Sequence, residues 1–97
     1  MAAYVIAQVH VTDGDKFKEY MKKTPETIAR HGGRYLARGG ETAMLEGDMN
    51  AERVVLIEFP SLQRAREWYA SEEYQRIKTL RAGAATASII AVDGYMP

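Results

Sequence analysis

The chain has 97 residues, room for one domain that buries about two thirds of the surface its unfolded form exposes, so a second copy would add materially to its stability. Thirteen basic and thirteen acidic residues balance without a run of like charge, which disfavours nucleic acid and anionic membrane surfaces as partners. The absence of cysteine excludes disulfides, thiolate catalysis and cysteine zinc sites. With no signal-peptide pattern at Met1-Ala2-Ala3-Tyr4-Val5-Ile6 and no apolar window of membrane-spanning length, a cytoplasmic location is the default expectation.

Residues Tyr4 to Val11 alternate, with Val5, Ala7, Val9 and Val11 on one face and Tyr4, Ile6, Gln8 and His10 on the other. This predicts a strand with a dry side and an amphipathic side. Thr12-Asp13-Gly14-Asp15 gives a turn and a helix cap, after which Phe17, Tyr20, Met21, Thr24, Ile28 and His31 recur at helical spacing. Pro25 removes the backbone donor that would bond the Met21 carbonyl, so a kink or a restart capped by Thr24 is expected. Gly32-Gly33 ends that helix.

Arg34 to Arg38 read as a strand, Gly39-Gly40-Glu41 as a bend or bulge, and Thr42 to Gly47 as the strand's continuation. A polar connection, Gly47 to Glu52, leads into Arg53-Val54-Val55-Leu56-Ile57-Glu58-Phe59, the central strand, in which Glu58 breaks an otherwise apolar pattern. Pro60-Ser61 ends the strand and caps a helix carrying Leu62, Ala65, Trp68 and Tyr69 on its apolar face. Ser71-Glu72-Glu73 is a second cap, and Tyr74, Ile77 and Leu80 carry a further helical segment to about Ala82. Thr86 to Asp93 is the last strand and Gly94 to Pro97 a tail.

The order β-α-β-β-α-β, with short connections, predicts an α+β fold of the ferredoxin-like kind: a four-stranded antiparallel sheet, helices on one face, and the strands 4–11 and 53–59 in the middle. The uncovered face, with Tyr4, Ile6, Gln8, His10, Met44 and Leu56, calls for a second copy of the chain as its cover.

Gly32-Gly33-Arg34-Tyr35-Leu36-Ala37-Arg38-Gly39-Gly40, Leu45-Glu46-Gly47, Val55 to Ser61, Ala65, Trp68-Tyr69, Ser71-Glu72-Glu73-Tyr74 and Val92-Asp93-Gly94 together resemble the DUF1330 family over nearly the whole chain. The resemblance implies a dimeric α+β barrel in which two sheets stack face to face. The family is similar in fold to cofactor-independent monooxygenases, haem-degrading enzymes and lactone isomerases, without a shared reaction. The loop Asp48-Met49-Asn50-Ala51 departs from the family pattern in lacking aromatic and proline residues.

Parity sends Glu58 toward a partner sheet with Val54 and Leu56, and Glu46 with Met44 is expected alongside. With His10, these would form an acid/base set in a confined lumen, where a carboxyl's pKa tends to rise. The alternative is that each is paired with Arg34, Arg38 or Arg53 in the dimer. Tyr20, Trp68, Tyr69 and Tyr74 form an aromatic set that is mainly core, yet Tyr20 and Tyr74 carry hydroxyls able to orient a polar ligand, and Trp68 would line the same cleft. Arg38 and Arg81 could receive a carboxylate in bidentate fashion, although a surface arginine more often contributes nothing measurable. His31 suits the negative end of its helix. No phosphate loop, nucleophile elbow or metal-ligand spacing is found, so neither a metal nor a cofactor is expected. The sequence thus points to a homodimer binding a small, partly apolar organic molecule in a sheet–helix cleft or a barrel lumen. An oxygenase or isomerase using Glu58 or Glu46 as base is the alternative, and a stress or assembly dimer without a ligand the third reading.

Overall fold

A computed structural model describes residues 1–49 and 52–96. Asn50 and Ala51 of the connecting loop and the terminal Pro97 lie outside the described residues. Strand β1 spans Ala3–Val11, helix α1 Gly14–Arg30, β2 Arg34–Arg38, β3 Arg53–Phe59, α2 Leu62–Ala70, α3 Glu72–Lys78 and β4 Ala85–Asp93, with a 3-10 turn at Thr79–Arg81 before β4. The sheet order is β2-β3-β1-β4, antiparallel at every pairing, and β1 and β3 are the inner strands. This is the ferredoxin-like arrangement expected from the element order.

Each helix starts where its cap dictates. The Asp13 side chain accepts from Lys16 N, that of Ser61 from Arg64 N, and that of Ser71 from Tyr74 N, each satisfying an amide that has no partner inside its helix. Gly32, in the left-handed region at φ 79°, turns α1 toward β2, and a side chain on Gly33 would stand 2.6 Å from the Phe59 ring. That pair of glycines lets the helix end close down on the sheet.

Val5, Ala7, Val9, Ile57 and Phe59 leave the sheet on its helix side and are buried against Phe17, Ile28, Ala65, Trp68 and Tyr74. At the centre of this layer Trp68, Phe59, Tyr69 and Tyr74 pack ring on ring, with centroids 4.4–6.1 Å apart. The indole N–H of Trp68 donates to Thr27 Oγ1 at 3.0 Å, and the Thr27 hydroxyl donates onward to the Thr24 carbonyl. One hydrogen bond therefore ties α2 to α1 inside the core.

Two sequence expectations are corrected. Thr42 to Gly47 form no strand: Gly39, at φ 74°, turns the chain out of the sheet, and Leu45 is left 94% exposed. The bend expected at Gly39-Gly40 is present at Gly39, and a register irregularity lies further back in the strand, between Tyr35 and Ala37. Helix α1 runs through Pro25 as one element, and Thr24 does not cap a restart, because its hydroxyl donates back to the Tyr20 carbonyl. The Met21 carbonyl freed by Pro25 accepts instead from Arg38 Nη2 at 2.5 Å. A side chain from β2 thus completes the helix.

Thr27→Val keeps the volume but leaves the Trp68 N–H buried without an acceptor. Urea denaturation should show a loss of about 1–3 kcal/mol; an unchanged midpoint would mean that the Thr27–Trp68 bond contributes nothing to holding the two helices together.

Candidate functional site

The site forms between α1 and the helix side of the sheet, with Trp68 of α2 at one edge. Phe17, Tyr20 and Met21 of α1, Val5 of β1, Tyr35 of β2, Val55 and Ile57 of β3 and Trp68 of α2 line a largely apolar cleft, and Arg38, Arg53 and Arg81 enter it. The gap measures about 530 Å³ including its open mouth, with about 40 Å³ clear for water-sized occupants. A few waters fit as it stands. An aromatic or branched molecule enters only if the arginine side chains give way.

Each arginine is positioned by the fold. Arg53 shares the parity of Val55 and Ile57, so it points to the helix side, 6.0 Å from the Phe17 ring, in the space that a Cβ on Gly39 would occupy. Arg38 lies over the Tyr35 ring at 4.6 Å while holding the Met21 carbonyl. It is the exposed member of the three. Arg81 is delivered by the 3-10 turn and lies over the Tyr20 ring at 5.4 Å; it is only 9% exposed and its Nε has no hydrogen-bond partner among the described residues.

The Tyr20 and Tyr74 hydroxyls are 2.7 Å apart, and either can donate. Burial pushes the Tyr74 hydroxyl far above its ordinary pKa, with the neighbouring Tyr20 acting in the same direction and Arg81 opposing. Tyr35 is also raised by burial, against the opposing pull of Arg38. Both phenols therefore stay protonated at neutral pH and serve as donors.

Of the sequence-nominated residues, Tyr20, Arg38, Trp68 and Arg81 meet in this cleft, and Tyr74 stands behind Tyr20. Glu58, Glu46 and His10 do not gather within one subunit. Glu58 is on the opposite face of the sheet, its Oε1 2.9 Å from Arg34 Nε. His10 lies six residues along β1 from Tyr4, the register partner of Glu58, about 20 Å away, and pairs with Glu52 at 3.0 Å. Glu46 is exposed on the irregular segment after β2, not on a strand beside Glu58. His31 accepts the structural explanation, its Nδ1 2.9 Å from the Thr27 carbonyl. Sequence reasoning missed Arg53 and Tyr35 as cleft residues; the strand parity of Arg53 was the available signal.

The family model for Domain of unknown function (DUF1330) matches residues 2–95, and the chain belongs to that family. No curated protein matches the chain. Among solved structures, a protein of unknown function from Rhodopseudomonas palustris is similar at 20% identity and TM-score 0.77, covering 99% of this chain and 84% of that one. A dimeric ferredoxin-like protein of unknown function from Jannaschia sp. CCS1 is similar at 10% identity and TM-score 0.70, over 97% of this chain and 100% of that one. SnoaB, a cofactor-independent oxygenase from Streptomyces nogalater, is similar at 11% identity and TM-score 0.66, over 99% and 95%. Likeness at these identities establishes the fold alone.

Because burial raises the folded pKa of Tyr74 above the ordinary tyrosine value of about 10, its contribution to stability is complete below about pH 10 and is lost as the pH rises beyond that value. Thermal melts of the wild type should therefore fall more steeply above about pH 10 than those of Tyr74→Phe. Parallel pH profiles would contradict the burial of that hydroxyl.

Proposed function

We propose that the protein is a homodimer, paired through its open sheet faces as an α+β barrel, and that each subunit binds a small, partly apolar organic molecule in the cleft between α1 and the sheet. The observation that carries the ligand reading is the cleft itself: an apolar lining joined by tyrosine hydroxyls and arginines, with no carboxylate among its described lining residues. Such a lining suits a molecule with an apolar body and a polar end. The barrel lumen is the less favoured location, because its nominated acid/base groups are dispersed and Glu58 is held by Arg34.

Pairing is supported by the open face. Leu56, Ile6 and Ile90 stand in register across β3, β1 and β4, Ile90 is 61% exposed, and Val92 beside it is 46% exposed. The protein is also thin, 39 × 37 × 16 Å, and no helix of the described residues lies on that side. The dimeric description of the Jannaschia neighbour agrees with pairing.

The enzyme reading, an oxygenase or isomerase with Glu58 or Glu46 as base, draws on the fold shared with SnoaB. It has less support, since neither carboxylate lines the cleft. Chemistry inside the cleft would fall to the Tyr20–Tyr74 pair.

Trp68 is the chain's one tryptophan and lines the cleft, so its emission reports occupancy. Titration with phenylacetamide, a small neutral aromatic, should give a saturable change in the wild type and in Glu58→Gln alike. No change at millimolar concentrations with either phenylacetamide or phenylacetate would overturn the cleft reading and leave the assembly dimer. A response lost only in Glu58→Gln would move the site to the open face. Light scattering should report about twice the 10.9 kDa chain mass for the wild type and the single chain, or aggregate, for Leu56→Asp. An equally stable Leu56→Asp dimer would contradict pairing through this face.

A further inference from the structure

The buried guanidinium of Arg81 is not explained by the fold. Arginine remains charged at any pH the protein meets and presents five donors in a planar fork. Burying its Nε–H without a hydrogen-bond partner carries a penalty that the Tyr20 ring face offsets only in part. Other cations find carboxylates outside the cleft: Arg34 takes Glu58, Arg30 takes Glu26 and Glu73, Arg64 takes Glu67 and Arg76 takes Glu72. Arg81, whose Nε is the one unsatisfied buried side-chain polar atom among the described residues, instead borders the cleft.

We propose that the cleft is a receptor for a carboxylate with an apolar body, its carboxylate received by Arg81 at the Tyr20 end and its apolar part lying between Ile57 and Trp68. This rests on the cleft reading above and adds the chemical class of the ligand. A carboxylate matches the arrangement because its two oxygens accept from the Nε–H and Nη–H of one fork. A phosphate demands more donors than one buried edge offers. Tyr20, whose hydroxyl is hydrogen-bonded to that of Tyr74, supplies a further hydroxyl within the same corner. Arg38 and Arg53 stand over Tyr35 and Phe17, where they add to the positive potential that draws an anion in and must shift as it enters.

Phenylacetate and phenylacetamide differ in the charged end alone, and Trp68 emission reads both. The wild type should bind phenylacetate about tenfold or more tightly than the amide at neutral pH, and Arg81→Gln should bring the two together. Equal affinity in the wild type would overturn the carboxylate assignment and leave the cleft reading intact; absence of any response to either would remove both. A preference that survives Arg81→Gln would take the role from Arg81. Inorganic phosphate competing as well as phenylacetate would mean that the site takes bare anions and would overturn the need for an apolar body. Should Arg81→Gln fail to fold, the wild type suffices: the Arg81 Nε–H resonance should shift with phenylacetate and not with phenylacetamide, and a resonance indifferent to both would refute the contact.

Discussion

Everything in this structure depends on the alternation of side chains along the two inner strands. In β3, Arg53, Val55, Ile57 and Phe59 leave on one face while Val54, Leu56 and Glu58 leave on the other, and β1 repeats the pattern with Val5, Ala7 and Val9 against Tyr4, Ile6 and Gln8. A register slip of one residue would exchange the two sets. Because helices cover only one face, the alternation creates two environments: a packed layer with a cleft in it, and a half-apolar surface that no helix of the described residues covers.

The same alternation sorts the charges. Composition reports thirteen of each sign and a net charge of zero, yet on the structure the acids stay at the surface in pairs such as Arg34–Glu58 and His10–Glu52, while three arginines reach the cleft. The helix layer prepares this corner. Pro25 leaves the Met21 carbonyl for Arg38, Gly39 leaves room for Arg53, and the 3-10 turn after α3 carries Arg81 inward. Tyrosines kept protonated by burial complete a corner rich in donors. Where the acids go is therefore as informative as where the arginines go.

The architecture was legible in the sequence because its signals are local: the caps at Asp13, Ser61 and Ser71, the glycines after α1, and the two-residue period of β1 and β3. The site was legible in part. Tyr20, Arg38, Trp68 and Tyr74 come together near one cleft, whereas Glu58, chosen because a carboxylate in an apolar strand stands out, turns away from it to Arg34. Arg53 follows the same parity rule as Ile57, although the sequence reading offers it only as a partner for the carboxylates in the dimer. The inward turn of Arg81 has no local signal, since the helical period of Tyr74, Ile77 and Leu80 had to give way to a 3-10 turn at Thr79. Thr42 to Gly47 carry an apolar pattern fit for a strand and were overruled by the left-handed bend at Gly39.

The central claim is that the working site lies on the helix side of the sheet. The most direct test is a backbone-amide map of the ¹⁵N-labelled protein titrated with phenylacetate. The account predicts shifts concentrated at Tyr20, Tyr35, Arg53 and Arg81, with Tyr4, Leu56 and Glu58 unmoved. Shifts gathered at Tyr4, Leu56 and Glu58, with the cleft residues silent, would contradict it.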